Sequence, residues 1–464
     1  MGSMDDRERA MRRAAEIGLD YLDALPDRRV GAATDAATLR ALLAEPLPEH
    51  GTDATTVVED LAGAVEPGLV GSTGPRYFGF VIGGALPAAA AVDWLTTAWN
   101  QNAALNALSP AAAAAEHVAG EWMLELLGLP ATASFGLPTG AGIGNAVGIA
   151  AGRHAVLDRL GWDVEARGLY GAPEISVLIG DEGHATLLTA LQYLGLGRDR
   201  VIRIPTDEQG QMRADAAREA IDGIAGPLIV AAQAGNVNTG GFDPLGELAD
   251  ALAGHSNAWL HVDGAFGLWA AVSPELRHLV AGIERADSWS TDAHKWLNVG
   301  YDCGFVAVRD PVAHQAAMSA TAAYLMRSDE RENWEWVMDS SRRARGFVLY
   351  AAIRALGRDG IRAMVERCCS LARRMADRLR DADGVEVLND VVLNQVLVRF
   401  GDDDRTRAVI AAVQEDGTAW MGGTVWHGSA AMRISVSNWS TTEADADRTV
   451  EAILRAASAV PATA

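Results

Sequence analysis

The stretch GAPEISVLIGDEGHATLLTALQYLGLG, residues 171–197, sets the pattern for the middle of the chain, because a short β-rich run is followed by a helical one. The alternation continues toward residue 310, and its later β-rich runs are RVIRI (200–204), PLIVAAQ (227–233) and WLHVDGA (259–265). Strands that alternate with helices form βα units, which assemble into a mostly parallel sheet with helices on both faces. Ligands bind such sheets at the carboxyl ends of the strands, so side chains there are the first candidates for function.

The regions around this alternation predict two further parts of the molecule. Residues 1–70 are helical and loop-rich in character, and we expect them to form an arm rather than a domain. We expect a large domain over residues 71–340 and a smaller α+β domain over 341–464, where amphipathic helices precede short strands. The charged stretch 326–341 shows no clear periodicity of its apolar residues and is a candidate mobile loop.

Composition and charge limit the classes of partner. The 464 residues are 49% hydrophobic, which is enough for a large and a smaller globular domain. A net charge of −22 would repel nucleic acid and anionic membranes, so we expect neither as a partner. Three cysteines cannot form a disulfide framework, and the N-terminus is charged where a signal peptide needs an apolar core. We therefore expect a cytoplasmic protein without a membrane span.

A glycine-rich turn that leads into a helix is the first feature that could bind a ligand. It lies in FGLPTGAGIGNAVGIAAGRHA (135–155), and we expect the helix to begin near Asn145. The backbone amides of Gly140, Ala141 and Gly142, together with the helix dipole, are suited to hold a phosphate. No GK[ST] follows, so the turn is not a nucleoside-triphosphate loop, and a purely structural turn remains the alternative.

Two polar residues follow predicted strands directly. His184 ends one strand and opens a helix, a position where a histidine is often only a helix cap or a buried core residue. Asp263 ends a strongly apolar strand, where a carboxylate is costly unless a cation or several donors meet it. A turn-capping aspartate is the alternative for this position.

The third such residue is Lys295, in the stretch STDAHKW (290–296). The stretch lies between two strand-like segments, so the lysine is predicted at an apolar seam of the sheet. Burial there disfavours the charged amine, and the neutral amine is a nucleophile suited to Schiff-base chemistry. A buried ion pair, with Asp292 as the partner, is the structural alternative.

Together these features match the requirements of pyridoxal phosphate (PLP). The glycine-rich turn would hold the phosphate, and the imidazole of His184 would stack on the ring. Asp263 would pair with the pyridine nitrogen and keep it protonated, and Lys295 would form the Schiff base.

At this point the sequence resembles the PLP-dependent enzymes of the aspartate-aminotransferase fold, and most closely the group II amino-acid decarboxylases. The resemblance runs from RYFGFVIGG (76–84) to MRISVSNWSTTEAD (432–445), and its most specific pieces are HVDGA and DAHKW. It implies fold type I, an α/β large domain whose mostly parallel, seven-stranded-type sheet lies between helices. It also implies a smaller C-terminal α+β domain, an N-terminal helical arm, and a homodimer with shared active sites.

The resemblance assigns roles to residues that match the family's motifs. His184 matches the histidine that stacks on the ring, and Asp263 matches the partner of the pyridine nitrogen. Ala265 matches the small residue under the ring. His294 matches a histidine near the phosphate, and Lys295 matches the Schiff-base lysine.

Three positions depart from the family's pattern. Asn236 stands where the family often has a threonine near the cofactor's phenolic side. Gly142 replaces a serine or threonine of the cradle, and Asp292 replaces an asparagine beside the phosphate. We expect the phosphate to depend more on backbone amides and on Ser290, Thr291 or His294 as a result.

The resemblance also implies the reaction. It predicts removal of carbon dioxide from an L-amino acid to give the amine, with Tyr324 donating the proton from a mobile loop upstream of Arg342 and Arg343. Transamination, retro-aldol cleavage and decarboxylation-coupled oxidative deamination remain alternatives, because the fold does not decide the reaction. An ordinary exposed loop tyrosine is the alternative for Tyr324.

The substrate pocket is only partly specified by the sequence. Phe80 and the two residues after it match positions that line the side-chain pocket in aromatic amino-acid decarboxylases, and Asn102 and Asn106 stand near apolar or aromatic positions of those enzymes. Arg433 aligns with an arginine on a small-domain strand, where it would bind a carboxylate. An aromatic, hydroxylated or modest aliphatic side chain would fit, and no basic cluster favours a glutamate-like substrate.

Overall fold

A seven-stranded sheet forms the centre of the molecule. The computed structural model describes residues 4–319 and 331–461. In chain order the strands of the central sheet are β1 Ser134–Gly136, β2 Ser176–Gly180, β3 Ile202–Ile204, β4 Leu228–Gln233, β5 Ala258–Asp263, β6 Ser288–Asp292 and β7 Gly304–Val308. Their spatial order is β1-β7-β6-β5-β4-β2-β3, and β7 runs antiparallel to both of its neighbours. The predicted α/β fold with a mostly parallel sheet is confirmed.

A second, smaller sheet follows later in the chain. Its strands are β8 Glu386–Val387, β9 Gln395–Arg399, β10 Gly422–Trp426 and β11 Ser429–Ser435. They are antiparallel and lie in the order β10-β11-β9-β8, which confirms the smaller α+β part. The sequence did not predict β10, because Gly422 and Gly423 open it and glycine is a poor strand former.

Helices cover the sheets and form the N-terminal region. They are α1 Met4–Ala24, α2 Ala36–Leu43, α3 Ala54–Val65, α4 Pro87–Trp99, α5 Pro110–Leu127, α6 Ala141–Asp158, α7 Val164–Arg167, α8 Ala185–Tyr193, α9 Ala214–Asp222, α10 Leu245–Leu252, α11 Pro311–Met318, α12 Arg345–Arg380, α13 Asp403–Asp416 and α14 Glu443–Ala459. Of the helices in the described ranges, none has both the length and the apolar character needed to cross a bilayer.

The register of three parallel strands brings polar side chains to one edge of the sheet. All six residues of β4 are buried, as are the last five of β5, so their apolar side chains fix both strands in the core. Gln233 at the end of β4 is opposite Asp263 at the end of β5, and Asp263 is opposite Ser290 on β6. The carboxyl ends of β4, β5 and β6 therefore lie side by side.

Helix α6 packs very close to this sheet. A Cβ atom on Gly148 would lie 2.6 Å from His261 Nδ1, and one on Gly152 would lie 2.6 Å from Trp259 Cδ1. Both contacts are too short for a real side chain, so glycine is needed at these two positions for the helix to approach β5.

Two details differ from the sequence-based expectations, and a third agrees with them. Helix α6 begins at Ala141 rather than near Asn145, because Gly140 is extended and ends the preceding loop. Residues 331–337 of the expected mobile loop are packed, since Trp334 and Val337 are 6% and 2% exposed. Helix α12 is two helices joined at Gly357, whose φ of 61° breaks the helical path, and this agrees with the separate amphipathic helices expected in this region.

A buried ion pair joins α5 to the segment before α12. Arg342 Nη2 lies 2.5 Å from Glu116 Oε1, and the two side chains are 1% and 0% exposed. We expect Glu116→Ala to cost about 3–5 kcal/mol, because it leaves the guanidinium buried without its partner. The cost would appear as a lower urea midpoint of unfolding.

A double variant provides the control for this pair. Replacing both partners with apolar residues, Glu116→Leu with Arg342→Met, is expected to cost less than Glu116→Ala alone, since no unpaired charge remains. A single variant with the wild-type midpoint would contradict this account of the pair.

Candidate active site

A pocket of about 410 Å³ opens at the carboxyl ends of β4, β5 and β6. It is lined by Ala141, Gly142, His184, Thr186, Gln233, Gly235, Val237, Asp263, Ala265, Phe266, Asp292 and Lys295. The structure thus brings together seven of the residues singled out from the sequence, which are Ala141, Gly142, His184, Asp263, Ala265, Asp292 and Lys295.

Asp263 is the buried anion of the pocket. Its side chain ends β5 and is 3% exposed. Asn145 Nδ2 donates to Asp263 Oδ2 at 2.8 Å, and the backbone N–H of Ala265 donates to Asp263 Oδ1 at 3.1 Å. Each carboxylate oxygen therefore has one donor, which offsets part of the cost of burying the charge.

Lys295 lies three residues beyond the end of β6 and is the only lysine in the chain. Its Nζ is 3.2 Å from Asp292 Oδ2, and its side chain is 19% exposed. The amine also lies 5.9 Å from the ring centroid of Phe266. The amine lines the pocket and is paired with Asp292, so the expected ion pair is present and the Schiff-base role stays a prediction.

Asp292 connects the lysine to the start of α6. Its Oδ1 accepts the backbone N–H of Ala141 at 2.6 Å and lies 3.4 Å from His294 Nε2. A Cβ on Gly140 would be 3.1 Å from this same oxygen, so the glycine lets the carboxylate approach. One amide of the predicted phosphate cradle is therefore bonded to a carboxylate.

His184 caps helix α8 and lines the pocket. Its Nδ1 accepts the backbone N–H of Thr186 at 3.3 Å and lies 2.8 Å from Thr186 Oγ1. The backbone N–H of His184 donates to Gln233 Oε1 at 3.2 Å. Burial lowers the pKa of the His184 imidazole, and the nearby charge of Arg433 contributes to the same shift, so the ring is neutral at pH 7.

His294 lies behind Asp292 and outside the pocket lining. Its Nδ1 accepts the backbone N–H of Cys303 at 3.2 Å, and its ring centroid is 4.4 Å from that of Tyr301. Burial is the main reason that the pKa of the His294 imidazole is lowered. This histidine supports Asp292 in its position.

The remaining predicted residues lie away from the pocket lining. Asn236 Oδ1 accepts from the backbone of Asn238 at 2.8 Å, so the amide stabilises its own turn. Asn102 Oδ1 likewise accepts from the backbone of Ala104 at 3.0 Å. Tyr324 lies outside the described residues.

Phe80 lies in a turn, whereas Arg433 lies on strand β11. Phe80 is 59% exposed and stacks on Trp420 with a centroid distance of 5.5 Å. Arg433, on β11, is half-buried, and burial lowers its pKa. Within the ranges 4–319 and 331–461, no carboxylate pairs with its guanidinium.

The sequence analysis missed several residues of the site. Gln233 ends β4 directly beside Asp263, and the strand-end rule would have found it. Phe266 and Thr186 each follow a predicted residue by one to three positions. Asn145 could have been noticed as a polar residue within the otherwise apolar helix GIGNAVGIAA.

The residues present fit PLP. A buried carboxylate at a strand end suits a ring nitrogen, the sole lysine faces the same pocket, and the small side chain of Ala265 leaves room beneath a ring. Lys295 would hold the aldehyde carbon, Asp263 the ring nitrogen and the amides at the start of α6 the phosphate.

Comparison with known proteins agrees with this fit. The model of the pyridoxal-dependent decarboxylase conserved domain matches residues 37–400. Tryptophan decarboxylase 1 of Oryza sativa subsp. japonica is 28% identical to this chain over 94% of this chain and 90% of its own length. Aromatic-L-amino-acid decarboxylase of Bacillus atrophaeus is 28% identical over 83% and 80% of the two chains.

The fold is also shared with solved structures. The crystal structure of Oryza sativa TDC with PLP and tryptamine superposes with a TM-score of 0.91, at 24% identity and with 98% of each chain covered. Because the domain match spans most of the sequence, the family resemblance is confirmed. The chain belongs to the pyridoxal-dependent decarboxylase family and is a PLP-dependent amino-acid decarboxylase.

Proposed function

We propose that this enzyme decarboxylates an L-amino acid with an aromatic or similarly large apolar side chain and releases the amine. The observation that carries the site assignment is the placement of Asp263 and Lys295 in one pocket, at the ends of neighbouring strands. The aromatic substrates in the names of the two relatives support the substrate class.

Bound PLP supplies an electron sink for the charge that remains on Cα when carbon dioxide leaves. The chain's residues prepare the pocket for it. Lys295 presents the amine, and Asp263 presents an anion that favours a protonated ring nitrogen. His184 is neutral and offers a flat imidazole face without adding charge to the pocket. Tyr324 is proposed to hold the proton that Cα receives.

Arg433 is the proposed partner of the substrate carboxylate. Its half-buried guanidinium lacks an ion-pair partner in the described part of the chain. Its positive charge is close enough to the pocket to contribute to the lowered pKa of His184. A half-buried guanidinium without an ion-pair partner is well suited to bind a planar carboxylate, because the two groups can form two parallel hydrogen bonds. Phe80 and Asn102 complete the proposed substrate-binding set, with the exposed Phe80 ring as the apolar contact.

A homodimer in the cytoplasm is part of the proposal. Trp94 and Trp99 on α4 are 46% and 48% exposed, and Phe80 is also exposed. Large apolar groups on a surface favour association, and the family resemblance implies that each subunit serves its partner's site. Sedimentation of the purified protein as a monomer at micromolar concentration would contradict this part of the proposal.

Covalent attachment of PLP depends on Lys295. Because the chain contains no second lysine, borohydride reduction of the loaded enzyme should add one PLP per chain, at position 295. Lys295→Ala should abolish the visible absorbance band and the added mass, as read by spectroscopy and peptide mass spectrometry. Retention of either signal in the variant would refute the assignment.

The proton donor is tested with a matched pair of tyrosine variants. Tyr324→Phe should keep the PLP absorbance band and lower amine formation by about 100-fold or more, because a phenyl ring has no proton to give. Tyr170→Phe is the control, since Tyr170 is 98% exposed and outside the pocket. A panel of L-amino acids, followed for carbon dioxide, amine, keto acid and aldehyde, serves as the assay.

The same panel separates the alternative reactions. Keto acid without carbon dioxide would indicate transamination, and aldehyde with carbon dioxide would indicate decarboxylation-coupled oxidation. Wild-type rates of amine formation in Tyr324→Phe would show that another group donates the proton.

Asp292 should weaken the binding of PLP. The Asp292 carboxylate accepts a hydrogen bond from the backbone N–H of Ala141, which is part of the proposed phosphate cradle, and its negative charge would repel the phosphate. Asp292→Asn keeps an acceptor of the same shape and removes the charge, so the dissociation constant of PLP should fall about tenfold. Fluorescence titration of the apoenzyme with PLP measures this dissociation constant, and inorganic phosphate serves as the competitor.

Asp287→Asn is the control for this change, because Asp287 precedes the amino end of the same strand, β6. It removes an equal charge at the far end of the strand and should leave PLP binding unchanged. Unchanged or weaker binding by Asp292→Asn would refute the role given to this carboxylate.

A further inference from the structure

A row of buried polar side chains lies behind the pocket, between α6 and the sheet. Asn145, His261, Ser288 and Ser290 are all 0% exposed, and none of them lines the pocket. Four polar groups in a protein core are costly unless each is bonded, so their presence calls for a physical reason.

The row ends at the Asp263 carboxylate. Asn145 Nδ2 donates to Asp263 Oδ2 at 2.8 Å, and Asn145 Oδ1 lies 2.9 Å from His261 Nε2. Ser290 Oγ also donates to Asn145 Oδ1. An ionised carboxylate only accepts hydrogen bonds, so it fixes which end of the amide faces it.

The direction of the other bonds follows from that orientation. Asn145 Oδ1 must accept, so His261 carries its proton on Nε2 and its Nδ1 is an acceptor. Ser288 Oγ, 2.8 Å from Nδ1, therefore donates to the ring, while the indole N–H of Trp259 donates to Ser288 Oγ at 2.9 Å. Each of these bonds points toward Asp263, while longer contacts of 3.4 Å lead from Asn145 Nδ2 to Thr186 Oγ1 and from Ser288 Oγ to the Gly148 carbonyl.

The His261 ring is neutral, as this arrangement requires. Burial lowers its pKa to about 3. Its space is provided by the sequence of α6, because a Cβ on Gly148 would lie 2.6 Å from His261 Nδ1 and 3.0 Å from Ser288 Oγ. The helix that opens the phosphate cradle also holds the imidazole against the sheet.

We propose that Asn145 and His261 are positioning residues for Asp263, and that this row of donors holds the carboxylate in a single orientation toward the cofactor's ring nitrogen. The inference rests on the proposed role of Asp263 in PLP binding. Polarised hydrogen bonds in a chain strengthen one another, so the effect of His261 reaches the carboxylate through Asn145.

The test compares PLP binding by variants of the row. Asn145→Ala and His261→Leu should each raise the dissociation constant of PLP about tenfold, since each removes a donor that supports a buried charge. They should also shift the absorbance spectrum of bound PLP and lower kcat more than they change KM. His261→Gln retains an N–H donor near the Nε2 position and should restore most of the binding and the wild-type spectrum.

A second buried histidine controls for general damage to the core. His314 is also 0% exposed and bonded on both ring nitrogens, to Ser134 and to the backbone of Trp336, but it lies outside the pocket lining. His314→Leu should lower the unfolding midpoint without changing the spectrum of bound PLP. If Asn145→Ala fails to fold, the pair of His261 variants carries the test.

The outcomes separate this inference from the proposed function. A wild-type enzyme that takes up no PLP would refute both. Normal PLP uptake by the wild type, with wild-type affinity and spectrum in folded Asn145→Ala and His261→Leu, would refute the positioning role alone. Equal effects of His261→Gln and His261→Leu would also refute it, because the donor would then not matter.

Discussion

An ionised carboxylate that must remain buried at the end of β5 is the constraint on which the pocket depends. Asp263 has lost nearly all contact with water, so protein donors have to replace it. They come from two directions, since Ala265 donates from the turn after the strand and Asn145 donates from helix α6. That one carboxylate is stabilised by the close packing of α6, by the polar side chains behind it and by the turn after β5.

The Lys295 amine is stabilised by an ion pair, whereas Asp263 is stabilised by hydrogen-bond donors. Lys295 is paired with Asp292, which also caps the first turn of α6 through Ala141. Asp292 therefore couples the amine to the helix terminus that is proposed to hold the phosphate. A single carboxylate acts on both chemical ends of the cofactor site, and an asparagine there would satisfy the helix without adding charge.

The fold could be predicted from the sequence because the alternation of strands and helices is local and repeated. Asp263 and Lys295 could be found for the same reason, since Asp263 ends the apolar strand β5 and Lys295 lies three residues beyond the end of β6. The start of α6 and the packing of residues 331–337 could not, because helix ends depend on a single backbone angle and burial depends on distant neighbours. Asn145 was placed as a helix start, although its amide bonds to residues more than 100 positions away. Such a contact leaves no signal in the spacing of one sequence.

The chain's basic side chains are otherwise all arginine, so the molecular surface carries guanidinium groups and no ε-amines. Aldehydes, activated esters and isothiocyanates react with primary amines and leave guanidinium groups largely untouched. Dyes and cross-linkers of these types would therefore find the chain's α-amino group and the catalytic centre, and little else. Ordinary lysine chemistry becomes a selective reporter of whether the cofactor is in place.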